Sequence, residues 1–290
     1  MKKIIGMRED DSAMDNACNA NALMLLETSL LSWRKLDTED GFCIVIAKQH
    51  PWFVDHRLKA CGVLPGVVSL ELVFIAAQRL YPDLSIMGAH DVVWKKPIIA
   101  DQHGATLRLI LKVQPTYGLE FALYHNDQCC CHGYLSATLQ PLSPVVPLSC
   151  KTQICCQDYQ MISHAALYQA FVRMGIDYGP WFRCIDYACR YHQHCFAQLS
   201  AKNTEVLAWS SLLDCSFQAG MAISIGEHQD SLMPYSLGQL VFHRQFNTQK
   251  LAKAFALTEK SSSFRTQISI YDETDNPIIS VFDLGVKASQ

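Results

Sequence analysis

The sequence predicts an α+β fold made of two similar halves, each with one long apolar helix followed by several strands. Two apolar runs carry this prediction, at 65–80 and at 211–225, and a Pro-rich stretch at 141–149 separates the two patterns. A helix that is apolar on almost all sides has to be enclosed, and an antiparallel sheet wrapped around such a helix is the hot-dog arrangement. We therefore predict a double hot dog, although the pattern alone also fits other α+β folds.

Length and composition exclude several classes of protein. The chain has 290 residues, of which 50% are hydrophobic and 18% charged, so it is not disordered and can bury a sizeable core. A net charge of −3 gives no indication of nucleic-acid binding. The start at 1–5 resembles a signal peptide, but charged residues follow at 8–11, and the apolar run at 63–77 is too short to span a bilayer. We expect a cytoplasmic protein whose 13 cysteines are thiols.

The elements of the first half follow from local patterns. Residues 41–48 are a run of apolar residues that predicts a buried strand, and His50-Pro51-Trp52 after it predicts a turn. Pro65 stands in the first turn of the long helix, where its missing N–H costs no bond, and Tyr81-Pro82-Asp83 ends that helix. Further strands are predicted at 87–94, 105–114, 119–124 and 130–139.

The second half repeats this order. Ser163 predicts the cap of a short helix that runs to about residue 174, and Asp275-Asn276-Pro277 predicts a turn before the last strand. Strands are predicted at 182–188, 195–199, 264–271 and 278–286. The predicted organisation is a leader with the first strand region at 1–35, a first half at 36–140, the linker at 141–149 and a second half at 150–290.

The stretch from His50 to Gly66 carries the most chemical information. His56 and Pro65 fit the pattern His-x-x-x-Gly-x-x-x-x-Pro, with Ala60 at the glycine position. A histidine titrates near neutral pH, which suits it to take a proton from carbon. A lone histidine is more often a half-exposed turn residue, so the pattern around His56 decides the interpretation.

Asp214 and Gln218 stand four residues apart in the second long helix. They share one helix face, so Gln218 can donate to the Asp214 carboxyl and hold its rotamer. A carboxyl that gives up a proton near neutral pH needs a desolvated site that raises its pKa. The alternative is structural, because Ser211 with Asp214 three residues later also fits a capping box.

Four segments in this order resemble motifs of the dehydratase domains of polyketide synthases. Besides the two segments above, residues 178–182 (Tyr-Gly-Pro-Trp-Phe) resemble the family's Tyr-Gly-Pro-x-Phe, and residues 233–236 (Met-Pro-Tyr-Ser) resemble its Leu-Pro-x-Ser. The resemblance spans most of residues 36–290 and implies the same double hot-dog fold.

The resemblance implies an enzyme that eliminates water from a β-hydroxyacyl thioester held on an acyl carrier protein. His56 would take the C2 proton, and Asp214 would protonate the leaving hydroxyl. No metal or cofactor of its own is expected, because the substrate is carried on the phosphopantetheine of the carrier. The family's glycine binds the thioester carbonyl through its N–H, which Ala60 keeps, although alanine disfavours a positive φ. The supporting residues in this interpretation are Gln218, Tyr178, Ala60, Pro65 and Gly66.

The same resemblance implies partners: an acyl carrier protein and other polyketide synthase components, with no nucleic acid and no membrane. Carrier proteins of this kind are acidic, so a basic patch is expected, with Arg57, Lys59, Lys95 and Lys96 as candidates. A homodimer remains open. The chain shows no ketosynthase, reductase or carrier module, which predicts a free-standing protein or an excised domain, and the Met1 start favours the first.

Two alternatives stay open at this point. A product-template-like cyclase or a double-bond isomerase would use the same fold and a similar His/Asp pair. A non-catalytic acyl-carrier-binding module is the third interpretation, and Ala60 is the one feature in its favour, against the retention of His56, Asp214 and Gln218 together.

Overall fold

The computed structural model describes residues 29–115, 118–138, 141, 159–201, 209–225, 232–244, 251–262 and 264–288. The predicted leader before residue 29 and the linker residues 142–149 lie outside the described residues. None of the described helices is long and apolar enough to cross a membrane.

The first half contains two helices and eight strands in its described part. The long helix ends at Leu80 as predicted but begins one residue later than predicted, at Gly66, because Pro65 is its N-cap rather than a residue of its first turn. The elements are β1 (Leu31–Lys35), β2 (Gly41–Ala47), α1 (Pro51–Val54), β3 (His56–Leu58), β4 (Cys61–Gly62), α2 (Gly66–Leu80), β5 (Gly88–Trp94), β6 (Gly104–Gln114), β7 (Gly118–His125) and β8 (Gln128–Ser136).

The second half repeats a strand pair, a long helix and four further strands. Ser163 caps its short helix as predicted, because the side-chain oxygen accepts from the Ala166 N–H. The elements are β9 (Gln160–Ser163), α3 (His164–Arg173), β10 (Ile176–Tyr178), a 3₁₀ turn (Pro180–Phe182), β11 (Ile185–Tyr191), β12 (His194–Ser200), α4 (Trp209–Ala222), β13 (Leu232–Phe242), β14 (Lys253–Ser262), β15 (Arg265–Tyr271) and β16 (Pro277–Ala288).

Thirteen of the described strands form one antiparallel sheet in the order β1-β2-β6-β7-β8-β5-β13-β16-β15-β14-β12-β11-β9. The two halves meet where β5 pairs with β13, for example Val93 with Ser236. The sheet encloses both long helices, and most of their side chains are buried. The predicted half-sheets around each helix are therefore joined into one continuous sheet rather than separate.

Three local predictions are corrected by the structure. The expected turn at His50-Pro51-Trp52 is the start of α1, because His50 Nδ1 accepts from the Trp52 N–H and Pro51 occupies the first helical position. The strand expected at 182–188 begins only at Ile185, since the preceding residues form the 3₁₀ turn. The second long helix contains Ser211 as its third residue, so Ser211 does not open it.

A second, three-stranded sheet joins the halves beside His56. In it β3 pairs with β10, and His56 lies opposite Tyr178. The Asp55 carbonyl accepts from the Gly179 N–H at 2.7 Å, and its Oδ2 accepts from the Trp181 N–H at 3.0 Å. A Cβ at Gly179 would overlap the Asp55 side chain, so only glycine fits there. These contacts hold the chain around His56 against the second half, which carries α4.

Candidate active site

His56 is the first residue of β3 and its imidazole is held in one tautomer. Nδ1 lies 2.8 Å from the Val63 carbonyl oxygen, and the Val63 N–H donates back to the His56 carbonyl at 3.0 Å. A carbonyl oxygen can only accept, so Nδ1 carries the proton in the neutral ring and Nε2 keeps its lone pair. The rings of Tyr178 and Phe182 pack edge-on against the imidazole, with centroids at 5.4 and 5.6 Å.

Asp214 lies in α4, on the wall of the cavity that His56 also lines. Asp214 is only 7% exposed. Burial raises the pKa of the Asp214 carboxyl, against a lowering by the positive charge of His56 and by the hydrogen bond from Gln218. The raised pKa favours the protonated carboxyl, which is the form that can give up a proton.

Gln218 is fully buried one turn after Asp214 and connects it to the rest of the fold. Its Nε2 donates to Asp214 Oδ2 at 2.8 Å and to the Phe182 carbonyl at 2.9 Å. Its Oε1 accepts from the Tyr168 hydroxyl at 3.1 Å. The i, i+4 contact predicted from the sequence is therefore present, with two further partners that the sequence did not indicate.

The capping-box interpretation of Asp214 is wrong. Ser211 and Asp214 are the third and sixth residues of α4, so neither stands at its N-cap, and the Asp214 carboxylate accepts from a side chain rather than from the helix end. Capping stabilises a helix only through residues at its first turn, and Asp214 lies beyond that turn. Its carboxyl is instead held by Gln218 at the wall of the cavity.

The cavity lies between the two halves and holds about 1340 Å³ of empty space, part of it open to solvent. Its wall takes side chains from both long helices and is largely apolar. Asp214 is the one acidic residue among its described lining residues, whereas four lysines reach it: Lys95, Lys96, Lys260 and Lys287. In the described residues, no group of three or more His, Cys, Asp or Glu is arranged to hold a metal ion.

The supporting residues predicted from the sequence do not all reach this cavity. Tyr178 lines it and is 3% exposed, and burial together with the Asp214 charge raises the pKa of its hydroxyl well above the usual range. Gly66 lines it as the first residue of α2, where the Trp94 Nε1–H donates to its carbonyl at 3.0 Å. Pro65 is buried behind it as the N-cap and Ala60 is exposed, and neither is among the lining residues.

Only two of the four basic residues predicted to bind a carrier protein line the cavity. Lys95 and Lys96 are exposed at the cavity, whereas Arg57 and Lys59 are exposed elsewhere on the surface and do not line it. Lys260 and Lys287 at the cavity were not predicted.

Sequence reasoning missed three residues that build the site. Asp55 ties the His56 segment to the second half, Tyr168 holds Gln218, and the Phe182 carbonyl accepts from Gln218 and from the Cys215 thiol at 3.3 Å. Phe182 belongs to the Tyr-Gly-Pro-x-Phe motif, but it contributes to the site through its backbone carbonyl, and every residue type has a backbone carbonyl. Tyr168 stands on the buried face of an amphipathic helix, where a core role is the ordinary expectation.

Two family models match the chain. Residues 36–126 match the model described as "Polyketide synthase dehydratase domain", and residues 156–290 match the one described as "Polyketide synthase dehydratase N-terminal domain". Polyketide synthase PksN of Bacillus subtilis (strain 168) is 28% identical over 253 residues, which are 81% of this chain and 5% of PksN. Polyketide synthase ThaG of Burkholderia thailandensis is 27% identical over 214 residues, 70% of this chain and 4% of ThaG. The chain thus spans about one twentieth of the length of these curated relatives.

Solved structures share the fold. A trans-AT polyketide synthase dehydratase domain from Brevibacillus brevis superposes with a TM-score of 0.78 at 20% identity, covering 90% of this chain and 98% of that one. Two variants of the CurK dehydratase superpose at a TM-score of 0.74 with 16% and 18% identity, each covering 90% of this chain and 98% of its own. Both are described as inactive, one with a histidine replaced by phenylalanine and one with an aspartate replaced by asparagine. These likenesses confirm the predicted double hot dog.

The two family models match the two halves in order along the chain. They assign the chain to the same family that the four motifs and the two enclosed helices indicate. The chain belongs to the polyketide synthase dehydratase family.

Proposed function

We propose that the chain eliminates water from a β-hydroxyacyl thioester carried on an acyl carrier protein and gives an enoyl thioester, in polyketide or fatty-acid-like biosynthesis. One observation carries the proposal: His56, whose fixed tautomer leaves Nε2 unprotonated, lines the same cavity as Asp214, a buried carboxyl whose pKa is raised by burial. The loss of activity described for CurK variants at one histidine and one aspartate supports roles for these two residue types.

The proposed reaction is a single elimination across C2 and C3. Nε2 of His56 takes the C2 proton, the electron pair forms the C2–C3 double bond, and the C3–O bond breaks as Asp214 donates its proton to the leaving hydroxyl. The products are water, the enoyl thioester, an imidazolium and a carboxylate. Transfer of a proton from His56 back to Asp214 through solvent restores the starting state.

The elimination places negative charge on the thioester carbonyl oxygen as the C2 proton leaves. Gly66 brings the N-terminal end of α2 to the cavity, and the first N–H groups of a helix carry partial positive charge. Donors aimed at a developing oxyanion lower the barrier, so this helix end would bind the carbonyl. Ala60, which does not line the cavity, has no such part in the proposal.

The proposed partner is the carrier protein, whose phosphopantetheine arm enters the cavity. The chain has a net charge of −3, yet exposed Lys95, Lys96 and Lys287 line the cavity and Asp214 is the one described acid there. A cationic entrance favours an acidic carrier and a phosphodiester, and salt weakens such an attraction. No cofactor of the chain itself takes part in this scheme, and the cytoplasm is the proposed location.

The test is to incubate the protein with β-hydroxyacyl carrier and β-hydroxyacyl pantetheine thioesters and to measure the loss of water by mass spectrometry. The reverse hydration of an enoyl thioester is followed in parallel. We expect turnover with both substrates, and no change of mass in either direction would overturn the proposal. A shifted or cyclised product of unchanged mass would support the isomerase or the cyclase instead.

The carrier is tested by replacing Lys95, Lys96 and Lys287 together with alanine. The expected result is a higher KM for the carrier-bound substrate, a smaller effect on the pantetheine substrate and a weaker dependence on salt. Lys112→Ala, at an exposed lysine of β6 that does not line the cavity, is the matched control.

A further inference from the structure

The hydroxyl of Tyr168 contacts the residue that holds Asp214. Tyr168 lies in α3 and is 4% exposed. Its hydroxyl lies 3.1 Å from Gln218 Oε1 and 3.3 Å from the Phe182 carbonyl oxygen, and it accepts from the Ile185 N–H at 3.4 Å. The Gln218 Oε1 and the Phe182 carbonyl oxygen can only accept a hydrogen bond. The Tyr168 hydroxyl is therefore the donor in both contacts.

An amide side chain can present either its NH₂ or its oxygen to a neighbour, and the two ends differ in what they do to a carboxyl. At Gln218 the choice is fixed from two sides. The Phe182 carbonyl accepts from Nε2 and would repel the amide oxygen, whereas the Tyr168 hydroxyl donates to Oε1 and satisfies that buried acceptor. Together they leave the second N–H of Gln218 directed at Asp214 Oδ2.

We propose that Tyr168 is a positioning residue for the acid Asp214, acting through Gln218 and anchored at the Phe182 carbonyl. This inference rests on the proposed function for its effect on turnover, and on the hydrogen bonds alone for its effect on the carboxyl. The competing role for Tyr168 is packing, because its ring contacts Phe171 and Tyr178 at centroid distances of 5.9 and 6.2 Å.

Removal of the hydroxyl separates the two roles. Tyr168→Phe keeps the ring and leaves Gln218 Oε1 buried without its donor, which costs free energy unless the amide turns away. Once the amide turns, Asp214 loses the hydrogen bond that favours its ionised form, so the pKa of the carboxyl rises further. His56, Tyr178 and Cys215 are the other titratable groups that interact with Asp214, and the substitution leaves all three in place.

The second half contains a matched control outside the cavity. The Tyr187 hydroxyl lies 3.3 Å from Gln198 Oε1, and Gln198 Nε2 donates to Asp186 Oδ2 at 2.9 Å. This series of hydrogen bonds has the same residue types in the same order as Tyr168, Gln218 and Asp214. Its three residues are half-buried, however, and none of them lines the cavity. Tyr187→Phe therefore loses a hydroxyl of the same kind with no effect expected on Asp214.

The first experiment measures kcat against pH for wild type, Tyr168→Phe and Tyr187→Phe. We expect Tyr168→Phe to lower kcat by roughly tenfold, with little change in KM, and to move the basic limb of the profile to higher pH. In a Gln218→Ala background, Tyr168→Phe should have no further effect on kcat, because its action passes through the amide. Additive losses with an unmoved basic limb would assign Tyr168 to packing and overturn the proposal.

The second experiment needs no turnover. The carboxyl of Asp214 is titrated by NMR with ¹³C-labelled aspartate, and its signal is identified by its absence in Asp214→Asn. A higher pKa in Tyr168→Phe and an unchanged one in Tyr187→Phe support the proposal, whether or not water elimination is observed. An unchanged pKa in folded Tyr168→Phe, checked by thermal melting, overturns it, and a loss of the folded state assigns the hydroxyl a structural role and also overturns it.

Discussion

His56 Nδ1 lies 2.8 Å from the carbonyl oxygen of Val63, seven residues further along the chain and just after β4. The hydrogen bond to this oxygen fixes the tautomer, because Nδ1 has no other acceptor among the described contacts. The rings of Tyr178 and Phe182, which pack against the imidazole, help to fix its plane. A base whose orientation is set before substrate arrives loses no further freedom on binding.

The tautomer gives the first prediction. In ¹⁵N spectra at about pH 8, where an ordinary histidine is neutral, His56 should show a protonated Nδ1 and an unprotonated Nε2. His164 serves as the comparison, because its Nδ1 lies 2.7 Å from the Ile185 carbonyl and should show the same pattern outside the cavity. Protonation of His56 at Nε2 in the neutral ring would contradict the assignment of this atom as the base.

The second prediction concerns the proposed base, His56, and the proposed acid, Asp214. Asp214→Asn should lower the dehydration rate by at least ~10²-fold, and so should His56→Ala, since each removes one acid–base group. The double variant should be little slower than the worse single variant, because both groups act on one elimination. Asparagine keeps an acceptor for Gln218, so the Asp214→Asn melting temperature should stay close to that of wild type. A fully active Asp214→Asn would exclude Asp214 as the acid.

How much of this site a sequence can reveal depends on where each interaction lies along the chain. Asp214 and Gln218 were predictable because their contact is local and follows from helix geometry. The contacts that complete the site join Gln218 to Tyr168 and to Phe182, 50 and 36 positions away, and one of them is to a backbone carbonyl. The periodicity of apolar residues does not reveal contacts between residues so far apart in sequence.

The fold shows the same division. Both long helices were predictable, because an almost wholly apolar run must be enclosed. Helix α1 and strand β3, with four and three residues, are too short to show a period, although they place His56. The pairing of β5 with β13, which joins the halves into one sheet, depends on residues about 150 positions apart in sequence.

The third prediction concerns Ala60, which has a φ of +68° and follows Lys59 at +49°. A left-handed conformation costs an L-residue about 1 kcal/mol, and the exposed Ala60 methyl contributes no packing that would offset it. Ala60→Gly should therefore raise the free energy of unfolding by about 1 kcal/mol and the melting temperature by roughly 2 °C.

The control for this substitution is Ala165→Gly, at an exposed alanine of α3. Glycine is unfavourable in a helix, so this change should lower the melting temperature, opposite in sign to Ala60→Gly. Thermal melting of both variants measures the difference, and destabilisation by both would show that the loop at Ala60 is not strained.

The last prediction concerns Glu71, a carboxyl in α2 that the proposed mechanism does not use. Glu71 is 7% exposed, and its Oε2 has no hydrogen-bond partner among the described residues. Burial raises the pKa of Glu71 from 4.5 to about 7, against a smaller lowering by the Ser210 hydroxyl. In the unfolded chain the carboxyl ionises near its ordinary pKa, so between these two values the folded state binds more protons than the unfolded state. Stability is therefore highest below about pH 4.5 for this group and falls as pH rises to about 7, by about 3 kcal/mol in all.

Glu71→Gln removes the titration and keeps the shape of the side chain. Unfolding in urea should give a free-energy difference between wild type and Glu71→Gln that shifts in favour of the variant from about pH 5 to about pH 8. The comparison must be made between the two proteins at each pH, because His50, whose pKa is lowered to about 4 by burial, makes wild type more stable as pH rises through 4 to 6.5. That contribution is common to both proteins and cancels in the difference. A difference independent of pH would mean that Glu71 ionises at its ordinary pKa and that the space between α2 and α4 admits water.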